Sequence, residues 1–249
     1  MPRKFRIEFP GAYYHVMHRS IRGRQICTTK QHYGMFLELL EEVVKIFPVE
    51  LHAYCVLSDH YHLVFRVLQG HLSSVMRHLN SVYTQRLNRL EQMEGSLFRG
   101  RYKSIVFEAQ RYLLPITRYI HWQPILMYQA KKPIEYAWSS CFYYMNIQRP
   151  MAWLKTTSAL GFLSQGSEII LYKEYLNQGI DGNILAIYAK RHQPMILGSA
   201  IFHRDVFRCM EKEQKEDMAN LMFHDNNSVS IQQVINCCAA YYQVDAQEV

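Results

Sequence analysis

Between residues 49 and 68 the chain carries two apolar runs, 49–57 and 60–68, that meet at the polar pair Ser58 and Asp59. Runs of that length on either side of a short polar break predict the two strands of a hairpin. Residues 13–17, β-branched and aromatic after Pro10 and Gly11, predict an earlier strand. Between them Phe36, Leu37, Leu39, Leu40, Val43 and Val44 recur at helical spacing, behind Thr28, Thr29 and Lys30 that offer caps. Leu72, Val75, Met76, Leu79 and Tyr83 then recur at three and four, which predicts a second helix running toward Leu87. Residues 104–108 read as a short last strand, and 111–124 as a helix stopped by Pro124. The order is that of a ferredoxin-like βαββαβ unit of the α+β class, an antiparallel sheet with helices on one face. In this reading the two hairpin strands are central in the sheet.

After Pro150 the pattern turns mostly helical, with 169–176, 183–191 and 200–215 as candidates, and Ser230 capping Ile231, Val234, Ile235 and Ala239. A first domain over residues 1–135 and an accessory region over 136–249 follow from this shift. Charge divides the same way. Residues 1–150 hold 20 Lys and Arg against 10 Asp and Glu, a net +10, whereas residues 151–249 hold 8 against 11, a net −3. A basic first part matches a phosphate backbone and concentrates nucleic-acid contact there. No apolar run approaches the roughly 20 residues of a membrane helix, and no apolar stretch follows the basic N-terminus, so a cytoplasmic protein is expected. Six cysteines without a Cys-x-x-Cys pair read as reduced, mostly buried thiols.

Chemistry enters with His60 and His62, which side-chain alternation puts on one face of a strand. Two imidazoles on one face make half a metal site, or a pair of satisfied core residues. Some sixty residues on, Tyr119 and Gln123 are four apart on a helix, so a hydroxyl nucleophile and a carbonyl ligand share one face. Tyr112 lies seven residues before Tyr119, nearly on the same face, but Pro115 between them predicts a kink that turns Tyr112 away. Basic, amide and aromatic residues interleave twice: Arg77, Asn80, Gln85 and Arg86 on the helix after the hairpin, then Arg99, Arg101, Tyr102 and Lys103 beside Gly95 and Gly100. Guanidinium groups bind phosphates and aromatic rings stack on unpaired bases, so Arg77, Arg86, Arg99, Arg101, Tyr102 and Lys103 are candidate DNA contacts. No Walker or kinase-type glycine loop is present, which argues against nucleotide-triphosphate chemistry.

In Pro10-Gly11-Ala12-Tyr13-Tyr14-His15-Val16, His60-Tyr61-His62, Leu97-Phe98-Arg99-Gly100-Arg101-Tyr102-Lys103-Ser104 and Arg118-Tyr119-Ile120-His121-Trp122-Gln123-Pro124, the chain resembles the REP-associated tyrosine transposases. These are single-tyrosine transposases of the HUH endonuclease superfamily, and the blocks keep the family's order over residues 1–135. Three positions depart from its usual pattern: Ser58 and Asp59 stand where it has Pro-Asn, and Gln123 where it has Asn. The resemblance implies a metal-dependent endonuclease and strand transferase acting on REP-type hairpin DNA. It implies Tyr119 as catalytic nucleophile forming a 5′-phosphotyrosine, and His60, His62 and Gln123 as ligands of Mg or Mn. It permits a homodimer and a site completed from either chain, and it suggests a nucleoid-associated location. Residues 195–199 with Phe202 are similar to a segment of longer family members, and residues 230–244 resemble the opening helix of a replication-initiator DNA-binding domain. Two rivals remain: a non-catalytic single-stranded nucleic-acid-binding module of RRM-like fold, and a zinc hydrolase using His60, His62 and a third histidine such as His15 or His52.

Overall fold

A computed structural model of the chain describes residues 6–147, 151–163 and 168–225. Strand β1 (Tyr13–Arg19) is followed by helix α1 (Lys30–Ile46), the hairpin β2 (Val49–Val56) and β3 (His60–Val67), helix α2 (Leu72–Glu91) and β4 (Lys103–Phe107). Thr29 caps α1, its hydroxyl accepting the backbone N–H of His32. The strands pair antiparallel, and the sheet order is β2-β3-β1-β4-β5, the last a two-residue strand (Ile196–Leu197) running parallel to β4.

The expectation that both hairpin strands are central needs correcting, because β3 is interior and β2 is an edge. Helix α2 carries the chain across so that β4 pairs with β1, which leaves β3 and β1 as the inner pair of the four long strands, with β5 beyond β4. The segment around 195–199 supplies β5 inside a region that reads as mostly helical. Two residues are too few to show a strand period, and their pairing partner lies some ninety residues away.

Side-chain alternation sorts the two faces. Tyr61 points to the side of α1 and α2, packing on Phe36 at 5.1 Å between ring centroids and donating to Asn80 at 2.7 Å. Its neighbours His60 and His62 therefore point the other way, with Val64. That second face is covered by α3 (Ala109–His121), whose Leu113, Ile116, Tyr119 and Ile120 share an apolar core with Ala53, Cys55, Val64, Ile105 and Phe107.

Helix α3 runs through Pro115 and ends at His121, after which Gln123 opens the short α4 (Gln123–Leu126). The same core continues into α5 (Cys141–Tyr144), α6 (Thr157–Leu160), α7 (Glu168–Asn177) and α8 (Gly182–Ala189). Buried His121 ties them together, with Tyr172 at 2.6 Å from one ring nitrogen and Ser140 at 2.8 Å from the other. Burial drops its pKa to about 3, so it is a neutral imidazole and a polar peg in an apolar layer. Arg118 donates to the Tyr175 carbonyl at 3.0 Å while its guanidinium stacks on that ring. Cys27, Cys55 and Cys141 are buried free thiols.

By internal packing the chain divides into Met1–His203 and Arg204–Val249. The first unit includes residues on both sides of position 135. Of the second, the described part continues helix α9 (Ala200–Asp225), so the helix read after Ser230 lies outside the described residues. No described helix is long and apolar enough to cross a membrane.

Candidate active site

His60, His62, Tyr119 and Gln123 line one cavity of about 510 Å³, together with Arg99, Arg101 and Lys103. Strand β3 presents the histidines and the end of α3 presents Tyr119 from across the same face. The rings of His62 and Tyr119 meet edge to face at 6.0 Å. Tyr112 does not line this cavity; it packs partly buried against the apolar core.

Each histidine is held from behind by its Nδ1. His60 Nδ1 lies 2.6 Å from an Asp59 carboxylate oxygen, and Arg19 lies 3.6 Å from the other oxygen. The hydrogen bond to His60 holds the Asp59 carboxyl below its usual range. His62 Nδ1 lies 2.9 Å from Nε2 of His15, whose own Nδ1 contacts the Tyr188 hydroxyl. Burial first, then the neighbouring His15 and His60, push His62 well below the ordinary imidazole range, so it is neutral. Among the described residues no hydrogen bond engages the Nε2 of His60 or His62, which leaves a lone pair available on each.

Gln123 is buried at the start of α4, its amide nitrogen 3.4 Å from the Tyr119 carbonyl. Tyr119 is 8% exposed, and burial raises its phenol above the ordinary value while a hydrogen bond from the Gln123 side chain opposes part of that rise. Two imidazole nitrogens with their far sides anchored, plus an amide oxygen, form a donor set that fits a divalent cation. This arrangement does not fit the zinc hydrolase reading. Both nitrogens of His15 are occupied, and His52 is bonded elsewhere, to the Lys155 carbonyl at 3.1 Å. Among the described residues no group of three or more His, Cys, Asp or Glu side chains gathers to hold a metal. Among the described residues helices pack on both faces of the sheet, which leaves no bare face to stack bases in the RRM manner.

The candidate DNA contacts fall in three places, with Arg99, Arg101 and Lys103 on this cavity. Arg77, Arg101 and Tyr102 line a neighbouring groove of about 660 Å³ between α2 and the 95–102 loop, where Gly95 and Gly100 take the positive φ that glycine tolerates. Tyr102 is mostly buried, with the Arg6 guanidinium 4.0 Å above its ring. Arg86 stands apart, forked onto Glu42 of α1 at 2.7 and 3.1 Å. Three residues at the site take roles that the reading of motifs did not give them, although His15 was named as a possible zinc ligand. Asp59 is part of a departure from the family pattern, His15 sits in the first family block, and Tyr188 had no local signal beyond its helix.

Tyr188 reaches the cavity from α8, which Asp181 caps by accepting from Asn183 and Ile184. Its ring stacks on Tyr119 at 4.2 Å and 10°.

No curated protein matches the sequence. A REP-associated tyrosine transposase solved bound to a REP hairpin matches with a TM-score of 0.50 at 18% identity, covering 56% of this chain and 82% of that one. At that identity the likeness speaks for the fold. A candidate transposase from Deinococcus radiodurans R1 covers 52% of this chain and 96% of its own at 17% identity, with a TM-score of only 0.34. The sequence model of the family described as "Transposase IS200 like" matches residues 8–123, the span that holds His60, His62, Tyr119 and Gln123. Residues 8–123, which hold all four of these side chains, are therefore similar to the IS200-like transposases.

Proposed function

We infer that the protein is a metal-dependent endonuclease and strand transferase that acts on single-stranded, REP-type hairpin DNA through a 5′-phosphotyrosine. The observation that carries this reading is the convergence of His60, His62, Gln123 and Tyr119 in one cavity whose rim is basic. His60, His62 and Gln123 would hold Mg or Mn, and imidazole donors favour Mn of the two. When bound there, the cation supplies Lewis acidity toward the scissile phosphate and its developing charge. Tyr119 Oη gives up its proton and bonds to phosphorus; the phosphorus–O3′ bond breaks, and O3′ leaves as a hydroxyl after taking a proton. The ring's position between His62 and Tyr188 limits its rotation, so the nucleophile waits in a narrow set of poses. Attack by a different 3′-hydroxyl on the phosphotyrosine reverses the step and joins strands without a nucleotide triphosphate.

The test is to incubate the protein with labelled single-stranded REP-type hairpin and Mg or Mn, then run a denaturing gel. A covalent adduct with a cleaved strand bearing a 3′-hydroxyl is expected, and EDTA should remove both. Hairpin binding with no adduct in either metal would instead favour the non-catalytic binding module.

Arg99, Arg101 and Lys103 on the cavity rim are proposed as the electrostatic contacts to the strand. Changing all three to Gln should weaken hairpin binding and flatten its log–log dependence on salt by roughly 0.7 to 0.9 per lost phosphate contact. Arg86→Gln should leave the slope unchanged, because Glu42 already occupies that guanidinium. An unaltered slope in the triple variant would return the rim residues to ordinary solvated surface.

A further inference from the structure

The motifs of the first 123 residues leave one part of the site unexplained: the line of polar groups behind it. His62 Nδ1, His15 Nε2, His15 Nδ1 and the Tyr188 hydroxyl follow one another at hydrogen-bonding distance, and His15, His62 and Tyr188 are all buried. Desolvating two imidazoles and a phenol is costly, and an apolar layer of the same volume would pack this space at less cost. Satisfied by one another, they instead impose a single direction. For His62 to present a bare Nε2 to the cavity it must carry its hydrogen on Nδ1, where it donates to His15 Nε2. His15 then carries its hydrogen on Nδ1 and donates to the Tyr188 oxygen. The far end of the line is the ring that lies face to face on Tyr119.

We propose that His15 and Tyr188 are positioning residues of this active site, fixing the His62 tautomer through the hydrogen-bonded line and the Tyr119 ring through the stack. The proposal rests on the reading of His62 as a ligand and Tyr119 as nucleophile. It adds that α8, outside the matched span of residues 8–123, is part of the catalytic unit.

Two readouts on the full-length chain test it: Mn²⁺ affinity without DNA, by calorimetry or electron paramagnetic resonance, and the single-turnover rate of adduct formation. His15→Leu should weaken Mn²⁺ binding about tenfold or more, as loss of a partner behind a ligand does. His15→Gln should recover most of it, since an amide can accept from His62 and donate to Tyr188. Tyr188→Phe keeps the stack and removes the oxygen, so its loss of Mn²⁺ affinity should be smaller. Tyr188→Leu removes the stack too, and at saturating Mn²⁺ should slow adduct formation by a further tenfold with hairpin affinity retained. Should His15→Leu fail to fold, the two Tyr188 variants decide. Folded variants with wild-type Mn²⁺ affinity and wild-type adduct rate would overturn the proposal. A wild-type protein that neither binds Mn²⁺ nor forms an adduct would instead overturn the reading on which it rests.

Discussion

Tyr119→Phe is expected to form no covalent DNA adduct, while Tyr112→Phe forms it at the wild-type rate. The substitution deletes one oxygen and keeps the ring, so the stack on Tyr188 and the edge contact to His62 survive and the fold is undisturbed. Loss of a nucleophile whose partners remain in place typically costs roughly 10⁴-fold or more, which puts the adduct below detection on a gel. Two independent considerations favour Tyr119: it lines the cavity with both histidines and Gln123, and the resemblance carried by residues 118–124 implies it as the reacting tyrosine. Tyr112 fails on location, since it packs on the apolar core away from the cavity. Hairpin binding should be equal in both variants. A phosphotyrosyl peptide mapped to Tyr112 would move the site to the other side of Pro115.

The parts of this site that the sequence discloses are those encoded at short range. A period of two puts His60 and His62 on one face, and a separation of four puts Tyr119 and Gln123 within reach of each other. Even there the local rule is approximate, because α3 stops at His121 and Gln123 belongs to the next turn of helix. The strand and helix order is legible for the same reason. Position in the sheet is not: whether β2 is central or at an edge depends on where β4 returns, a choice made across the whole domain.

Long-range pairing also hides the groups behind the site. His15 and Tyr188 are 173 residues apart, and nothing in the periodicity of either segment points to the other. Asp59 was visible as a departure from the family pattern, but its grip on His60 is a matter of side-chain geometry. Arg86 shows the opposite effect. In sequence it looks like its basic neighbours, and only the packing of α1 against α2 reveals that Glu42 holds it.

Replacing His60 or His62 with Ala is expected to abolish cleavage, by a thousandfold or more, while hairpin affinity in EDTA changes by less than about threefold. A thousandfold is about 4 kcal/mol of transition-state stabilisation, a magnitude within reach of removing a bound cation from a phosphoryl-transfer site. Binding is spared because the phosphate contacts are assigned to Arg99, Arg101 and Lys103, which approach the cavity from a different segment. The two variants should differ in stability. His60 sits at the start of β3 beside the half-exposed Asp59, whose carboxylate stays near Arg19 when the imidazole is gone. His62 has a buried partner instead, so its truncation leaves a cavity and strands His15 Nε2, a loss of roughly 1 to 3 kcal/mol. His62→Gln refills most of that space and serves as the second variant if His62→Ala melts early. Cleavage rates measured in Mn and Mg, beside anisotropy titrations with the intact hairpin, separate the two effects. Normal cleavage by a folded His60→Ala protein in either metal would remove this histidine from the ligand set.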